Sequence, residues 1–476
     1  MFRVRHSGQL RDGELRAVAR REWRGVVLAG ACAAILLLGL APTRAAAQQV
    51  GKIAYQTYAL PNGLTVVFSE DRSTPIVTVN LWYHVGSANE RPHRSGFAHL
   101  FEHMMFEGSA HVKKSEHMQL LERVGGSENA YTTDDHTTYF ETVPSNRLNL
   151  GLWLEADRMR SLAVTQATFE NQRQTVKEER RMRVDNQPYQ KAFQDALTMP
   201  FDSTTCFAYA HTVIGDMADL DSAKVEDVQA FFNKFYAPDN AVLSVIGDFD
   251  PAQARALIQR YFGDIPQVTP PAPVSCGYQY GGGERHVAVT DNNANLPLVA
   301  FVYRAPPQRD ADVPALDLLM SVLGNGESSR LNRTLVRESK AAVQAGGFSQ
   351  NNRESGVVIA FAIDNQGVPA ARVDSLLDAT VEQARNDTIS SAELTKAKNQ
   401  YRADAIRSRQ STMGVAEALQ SALWFNGSLA EVNEDVAMHL AVTQADLQRV
   451  ARKYLDPANR LVLIVNPPAS KGGAGQ

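Results

Sequence analysis
His99, Glu102 and His103 stand together in the stretch GFAHLFEHMMFEGS, residues 96–109. On a helix over 96–107 the two histidines are four residues apart, so their rings project side by side. Two neutral imidazoles at that spacing can hold one zinc ion. Glu102, between them, is placed to take a proton from a zinc-bound water. The plainer reading of the same three residues is a solvated polar face. Histidine is scarce in this chain, 11 among 476 residues, yet two share a helical face with a carboxylate. Catalytic zinc usually takes three protein ligands and a water, so a third must come from elsewhere. The polar stretch TFENQRQTVKEERRMR (168–183), with Thr168 as its expected N-cap, offers Glu178 and Glu179. Both are also readable as surface carboxylates among arginines.

These side chains need a frame. Phe97, Leu100, Phe101, Met104 and Met105 form an apolar stripe opposite the histidines, which directs that face of the helix into a core. Gly108 is the expected stop. GLTVVFSED and TTYFETVP read as strands between long helices, an α+β pattern. The pattern is written twice. VQAFFNKFYAPDNAVLSVIGD (228–248) is echoed by LQRVARKYLDPANRLVLIVNP (447–467), with Lys234 and Lys453, Pro238 and Pro457, and Asn240 and Asn459 at a common offset. TPIVTVNLWYHVGS (74–87) has a counterpart in NLPLVAFVYRAP (295–306). A shared offset at both ends indicates duplication. The domains are expected at 48–265 and 288–476, joined by a Pro- and Gly-rich linker at 266–287. At the place matching the histidine helix the second copy reads ALDLLMSVLGNGESS (315–329), with no histidine.

The net charge of −4 and 44% hydrophobic content are ordinary for a globular chain and give no sign of nucleic-acid binding. Residues 1–47 have the basic, apolar and small-residue segments of a secretory signal, with cleavage expected after Ala47. A membrane anchor is the other reading, but the apolar run is short for a span. Arg20 and Arg21 weakly match a twin-arginine signal, and the export route stays open. The mature chain is therefore expected outside the cytoplasm, in a bacterial periplasm, with no membrane attachment. Cys206 and Cys276 remain after cleavage and are readable either as a disulfide or as two buried thiols.

Taken in succession, GSANERPHRSGFAHLFEHMMFEGS, GGSENAYTTDDHTTYFETVP and FENQRQTVKEE resemble the motifs of the pitrilysin and insulin-degrading-enzyme family. These are the inverzincin metallopeptidases, to which the mitochondrial processing peptidases belong. The resemblance implies two homologous α/β-sandwich domains facing each other as a clamshell. It implies one zinc per chain on His99, His103 and Glu179, with Glu102 as general base. The family's further glutamate, seven residues before the third ligand, is here Gln172, an amide that supports a ligand less strongly than a carboxylate. The strand at 125–132 is implied to pair with an extended peptide substrate through Asn129 and Ala130; the other reading is a turn into a core strand. In single-chain relatives the second half supplies an arginine and a tyrosine to the developing oxyanion. Arg337 fits the arginine, or else is a helix-surface charge, and Gln344 stands at the tyrosine position. The implied activity is that of a zinc endopeptidase acting on peptides or unfolded segments. A homologous partner lacking H-x-x-E-H, or a second copy of the chain, is expected to complete it. The rival readings are a non-catalytic peptide-binding scaffold subunit and a metal-buffering protein. The first would lack the motif, and the second would show clusters of His or Cys.

Overall fold
A computed structural model describes residues 50–269, 271–276 and 282–468. The expected signal segment, 1–47, lies outside the described residues. No helix among the described residues is long and apolar enough to cross a membrane.

Two sheets organise the chain. The first contains β1 (Gln56–Ala59), β2 (Thr65–Glu70), β3 (Ile76–Tyr83), β4 (Ser127–Thr132), β5 (Thr137–Pro144) and β6 (Ala241–Gly247), in the order β1-β2-β6-β3-β5-β4. The second contains β7 (Arg285–Thr290), β8 (Leu298–Ala305), β9 (Ala342–Asn351), β10 (Gly356–Asp364) and β11 (Arg460–Asn466), in the order β7-β11-β8-β10-β9. Without β1 the two orders are the same. Each also has one parallel pair at the same place, β2 with β6 and β7 with β11. The repeat read from Pro and Asn spacing is thus a repeat of topology. β7 begins at Arg285, inside the segment expected to be linker, because RHVAVT already alternates and pairs with β11.

The central strands β3 and β6 are buried almost throughout, as their near-continuous apolar runs require. One face of each sheet packs on its own half's helices. The other face is covered from across the molecule. The helix Thr412–Asn426 of the second half lies on β3 and β6, with Ala416 and Leu419 against Val67, Val242 and Ile246. The helix Gln190–Thr198 of the first half places Ala192 and Ala196 among Leu298, Ala300 and Ile359 of the second sheet. Polar contacts fix this exchange: Asn80 Nδ2 donates to Glu417 Oε1 at 3.1 Å, and Gln420 Nε2 donates to the Val242 carbonyl at 2.9 Å. From Val50 onward the chain is one compact unit. Cys206 and Cys276 form a disulfide within the shared core that receives Gln190–Thr198.

Candidate metal centre
The motif helix runs Phe97–Met104. Its stripe is in the core as expected: Phe97, Leu100, Phe101, Met104 and Met105 are all buried. Burial of each such side chain stabilises by about 1.5–3 kcal/mol, which anchors the opposite face. Gly108, with φ of +104°, turns the chain just after the helix, and the Val112 carbonyl oxygen stands 2.7 Å from where a Cβ would be. The second helix spans Gln166–Arg180. Its N-cap is Thr165 rather than Thr168. Thr165 Oγ1 accepts from the Thr168 amide at 3.2 Å, and Thr168 Oγ1 accepts from the Thr165 amide at 3.0 Å, a capping box that makes Thr168 the partner.

These two helices bring His99, His103 and Glu179 together. Their ligand atoms all lie within 4.8 Å of one another. Glu179 Oε2 is 3.1 Å from His103 Nε2 and 3.7 Å from His99 Nε2. Glu178 points elsewhere, pairing at 3.0 Å with Arg181 in solvent. Two imidazoles and one carboxylate are a suitable donor set for a catalytic zinc. Electrostatics suit it too. Burial, with His103 nearby, lowers the His99 pKa to about 4, so its ring is neutral and can donate a lone pair. The hydrogen bond from His103, prevailing over burial, holds the Glu179 carboxyl below its ordinary range, ionised.

Glu102 projects from the same helix, and its Oε2 accepts from Thr132 Oγ1 at 2.6 Å. Burial raises its pKa despite that bond, which moves a carboxylate toward the range useful for a general base. Thr132 was not foreseen from the sequence. It ends β4, and the alternation of that strand could have shown that it shares a face with Ala130. Arg183 was not foreseen either. Its Nη1 is 2.7 Å from Glu179 Oε1, so the ligand's free oxygen is tied to a guanidinium one helical turn on.

The remaining expected residues fall in three places. Gln172 gives its amide hydrogen bond to Glu107 Oε1, a buried carboxylate four residues after His103 that also meets Lys114 Nζ at 2.8 Å; it acts on the end of the motif helix rather than on a ligand. Asn129 and Ala130 lie on β4, which pairs with β5 on one side and is the outer strand of its sheet, beside the metal group through Thr132. Arg337 is exposed, and Gln344 pairs with Ile363 near the start of β9. The part of the second half that reaches the centre is the other end of that strand. A cavity of about 690 Å³ runs from His99, Glu179 and Arg183 to Gln350, Asn352 and Phe425. At about 3.3 Å per residue, Gln344 lies roughly 20 Å back along β9 from Gln350. The second half thus meets the cavity with amides and an aromatic ring, without Arg337 or Gln344.

A second group, His117, Glu128 and Glu141, also has donor atoms close together. Its imidazole nitrogens face different carboxylates, Nδ1 toward Glu128 and Nε2 at 3.8 Å from Glu141, and Arg158 Nη2 stands 3.3 Å from Glu141. The carboxylates of this group are thus already met by the His117 ring and the Arg158 guanidinium.

The first half, residues 65–208, matches the family model described as insulinase (peptidase family M16), and residues 222–401 match that of the peptidase M16 inactive domain. Zinc protease PqqE of Helicobacter pylori is 30% identical over 421 residues, covering 87% of this chain and 93% of that protein. The chain belongs to peptidase family M16. It is 24% identical to the mitochondrial-processing peptidase subunit beta of Blastocladiella emersonii, over 87% of this chain and 88% of that one. The crystal structure of a protease from Helicobacter pylori superposes with a TM-score of 0.81 at 29% identity, over 87% of this chain and all (100%) of that one. The periplasmic protease PqqL of Escherichia coli, 18% identical, shares the fold with a TM-score of 0.70 over 88% of this chain but 48% of its own length. The "inactive" description falls on residues 222–401; His99, Glu102, His103 and Glu179 all lie within 65–208.

Proposed function
We propose that this M16 chain is an exported zinc endopeptidase that hydrolyses peptides or unfolded protein segments. The observation that carries the reading is the convergence of His99, His103 and Glu179, with Glu102 on the helix that bears the two histidines. The three ligands would hold one zinc, which when bound supplies a Lewis acid for the peptide carbonyl and acidifies a water. Glu102, oriented by Thr132, accepts the proton of that water and returns it to the leaving amine. β4 is the outer strand of its sheet, on whose edge an extended substrate can add as a strand beside Asn129 and Ala130, the Ala130 amide exchanging the Asn129 Oδ1 to which it donates at 2.9 Å. A disulfide in the core accords with an oxidising compartment such as the periplasm. The domain limits 48–265 and 288–476 are proposed as the units of the duplication, exchanging one helix each. Glu102→Gln should retain zinc, measured by metal analysis, and lose peptide turnover by at least about 10²-fold. Turnover at the wild-type rate would refute the mechanism.

The oxyanion donors are proposed to come from a second subunit. Arg337 is exposed and off the cavity, Gln344 is far along β9, and PqqL is twice as long as the matched region. The partner is a homologous chain lacking H-x-x-E-H, or a second copy of this one. Adding the partner should raise turnover by roughly 10²–10³, the worth of an oxyanion donor. Full activity as a monomer, unchanged by any homologue or by concentration, would exclude it. In the two-copy case Gln344→Tyr should raise the rate.

A further inference from the structure
The motif helix begins at Gly96, which has no side chain to cap it. Its φ is +83°, and the Ile214 carbonyl oxygen lies 2.7 Å from where a Cβ would stand, so a side chain there is excluded. The amides of the first turn are met from outside. Glu90 Oε2 accepts from the Gly96 amide at 2.8 Å, and Oε1 accepts from the Ala98 amide at 2.7 Å. A carboxylate at a helix N-terminus also meets the positive end of the dipole. The Glu90 side chain has no solvent exposure (0%), and a buried carboxylate needs a counter-charge.

His211 supplies one. Its Nε2 is 3.0 Å from Glu90 Oε2, and its Nδ1 is 2.8 Å from the Phe207 carbonyl oxygen. With an acceptor at each nitrogen the ring carries both protons, an imidazolium. The ring is buried and stacks on Phe207 with centroids 4.3 Å apart. Burial opposes charge on both groups: at His211 the Glu90 contact prevails and the pKa is raised, while at Glu90 burial prevails over His211 and the two amides and raises the carboxyl above its ordinary range. The segment that presents it starts at Cys206, tied to Cys276, and includes Tyr209. Tyr209 OH donates to Asp135 Oδ1 at 2.8 Å and accepts from the Glu354 amide at 3.1 Å, so the segment is fixed to both halves. His211 and Tyr209 line the same cavity as His99.

We infer that His211 and Glu90 are positioning residues of the metal centre. Their ion pair fixes the first turn of the motif helix, and with it the bearing of His99 on Glu179, while the Cys206–Cys276 disulfide holds the segment that carries His211. His99 is the residue immediately after Ala98, so a first turn that loses the Glu90 contacts misdirects that ligand. The inference rests on the reading of the centre as a zinc site.

The test is zinc affinity of the full mature chain, by competition with a chromophoric chelator, alongside thermal unfolding of the metal-free protein. Glu90→Gln and His211→Gln should each lower zinc affinity about 10- to 100-fold, the usual effect of losing a ligand's outer support. The double variant should lose no more than the worse single, because the two act as one unit. Replacing both cysteines by serine should lower affinity in the wild type and add little in the His211→Gln background. Folded single variants that bind zinc like the wild type, with only a lower melting temperature, would overturn the inference, as would additive losses. Should Glu90→Gln fail to fold, His211→Gln, which keeps the carboxylate on its two amides, decides alone. A wild-type chain that binds no zinc would overturn the zinc reading itself, a different result from variants that match a zinc-binding wild type.

Discussion

Glu179 has two oxygens with separate duties: Oε2 faces both imidazoles and Oε1 meets Arg183. Removing it takes away a proposed ligand and frees the arginine to repel any cation. Glu179→Ala should therefore lower zinc affinity by more than the roughly 100-fold that an outer-support change causes. Glu178 shares a solvated pair with Arg181, of the exposed kind that contributes little, and Glu178→Ala should leave affinity near the wild-type value. Equilibrium dialysis against zinc distinguishes them, and the reverse ranking would reassign the ligand. Adjacent helical residues point about 100° apart, so the helix period by itself allows only one of the two to face the metal. The sequence posed that choice, and helix packing turns Glu179 toward the two imidazoles.

At the scale of elements, the outer strand β4 is held from beneath by a buried polar network. Glu128 on β4, His117 on the helix Glu116–Glu122, Glu141 on β5, and Arg158 and Glu155 on the helix Leu148–Ser161 form one connected chain. Arg158 Nε reaches Glu155 Oε2 at 2.9 Å, and its guanidinium lies over the Tyr139 ring at 4.5 Å. Burial pushes the Glu141 carboxyl well above its usual range, while Arg158 overcomes the same burial at Glu155 and holds that group ionised. Arg158→Leu leaves those carboxylates without their cation. The expected loss is about 3–5 kcal/mol in denaturant unfolding, the cost of breaking a buried pair from one side. A loss under about 1 kcal/mol, as for a surface pair, would show that the chain is not a structural unit. None of this network was legible in the sequence, where its members lie scattered between 117 and 158 among ordinary surface residue types.

At the scale of the molecule, the exchange of helices makes the halves interdependent. Each sheet has one face covered by the other half, so neither copy keeps its core when the other melts. A single cooperative unfolding transition is expected. A group outside the candidate metal centre should then set the stability of the whole, and His439 is such a group. It sits between Asp317 and Asp435 under the Tyr401 ring, at 3.4 and 3.3 Å from the two carboxylates. Burial opposes its charge, but those hydrogen bonds raise its pKa to about 9. Its folded pKa is above the unfolded value of about 6.5. Its contribution is therefore complete below about pH 6.5 and is lost as the pH rises through 9, on the order of 3 kcal/mol in all. Melting scans from pH 6 to 10 should show that decline in one transition. His439→Gln should melt lower at neutral pH and converge on the wild type above pH 9.5. Equal slopes in both proteins would assign the decline to other groups.

The sequence by itself determined the elements and the candidate residues they carry. The spacing of His99 and His103, the stripe from Phe97 to Met105, and the Pro and Asn offset between 238–240 and 457–459 all follow from helix period and local turn geometry. Those are properties of neighbouring residues, and they gave the motif helix and the duplication. Only the tertiary structure decided what meets across the chain. Thr132 on Glu102, Arg183 on Glu179, His211 on Glu90 and Cys206 with Cys276 join segments whose approach depends on how two sheets share their helices. The same packing left Arg337 and Gln344 away from the cavity and brought Gln350 to it. Such contacts are fixed by the summed burial of two cores, a quantity that no local window of residues contains.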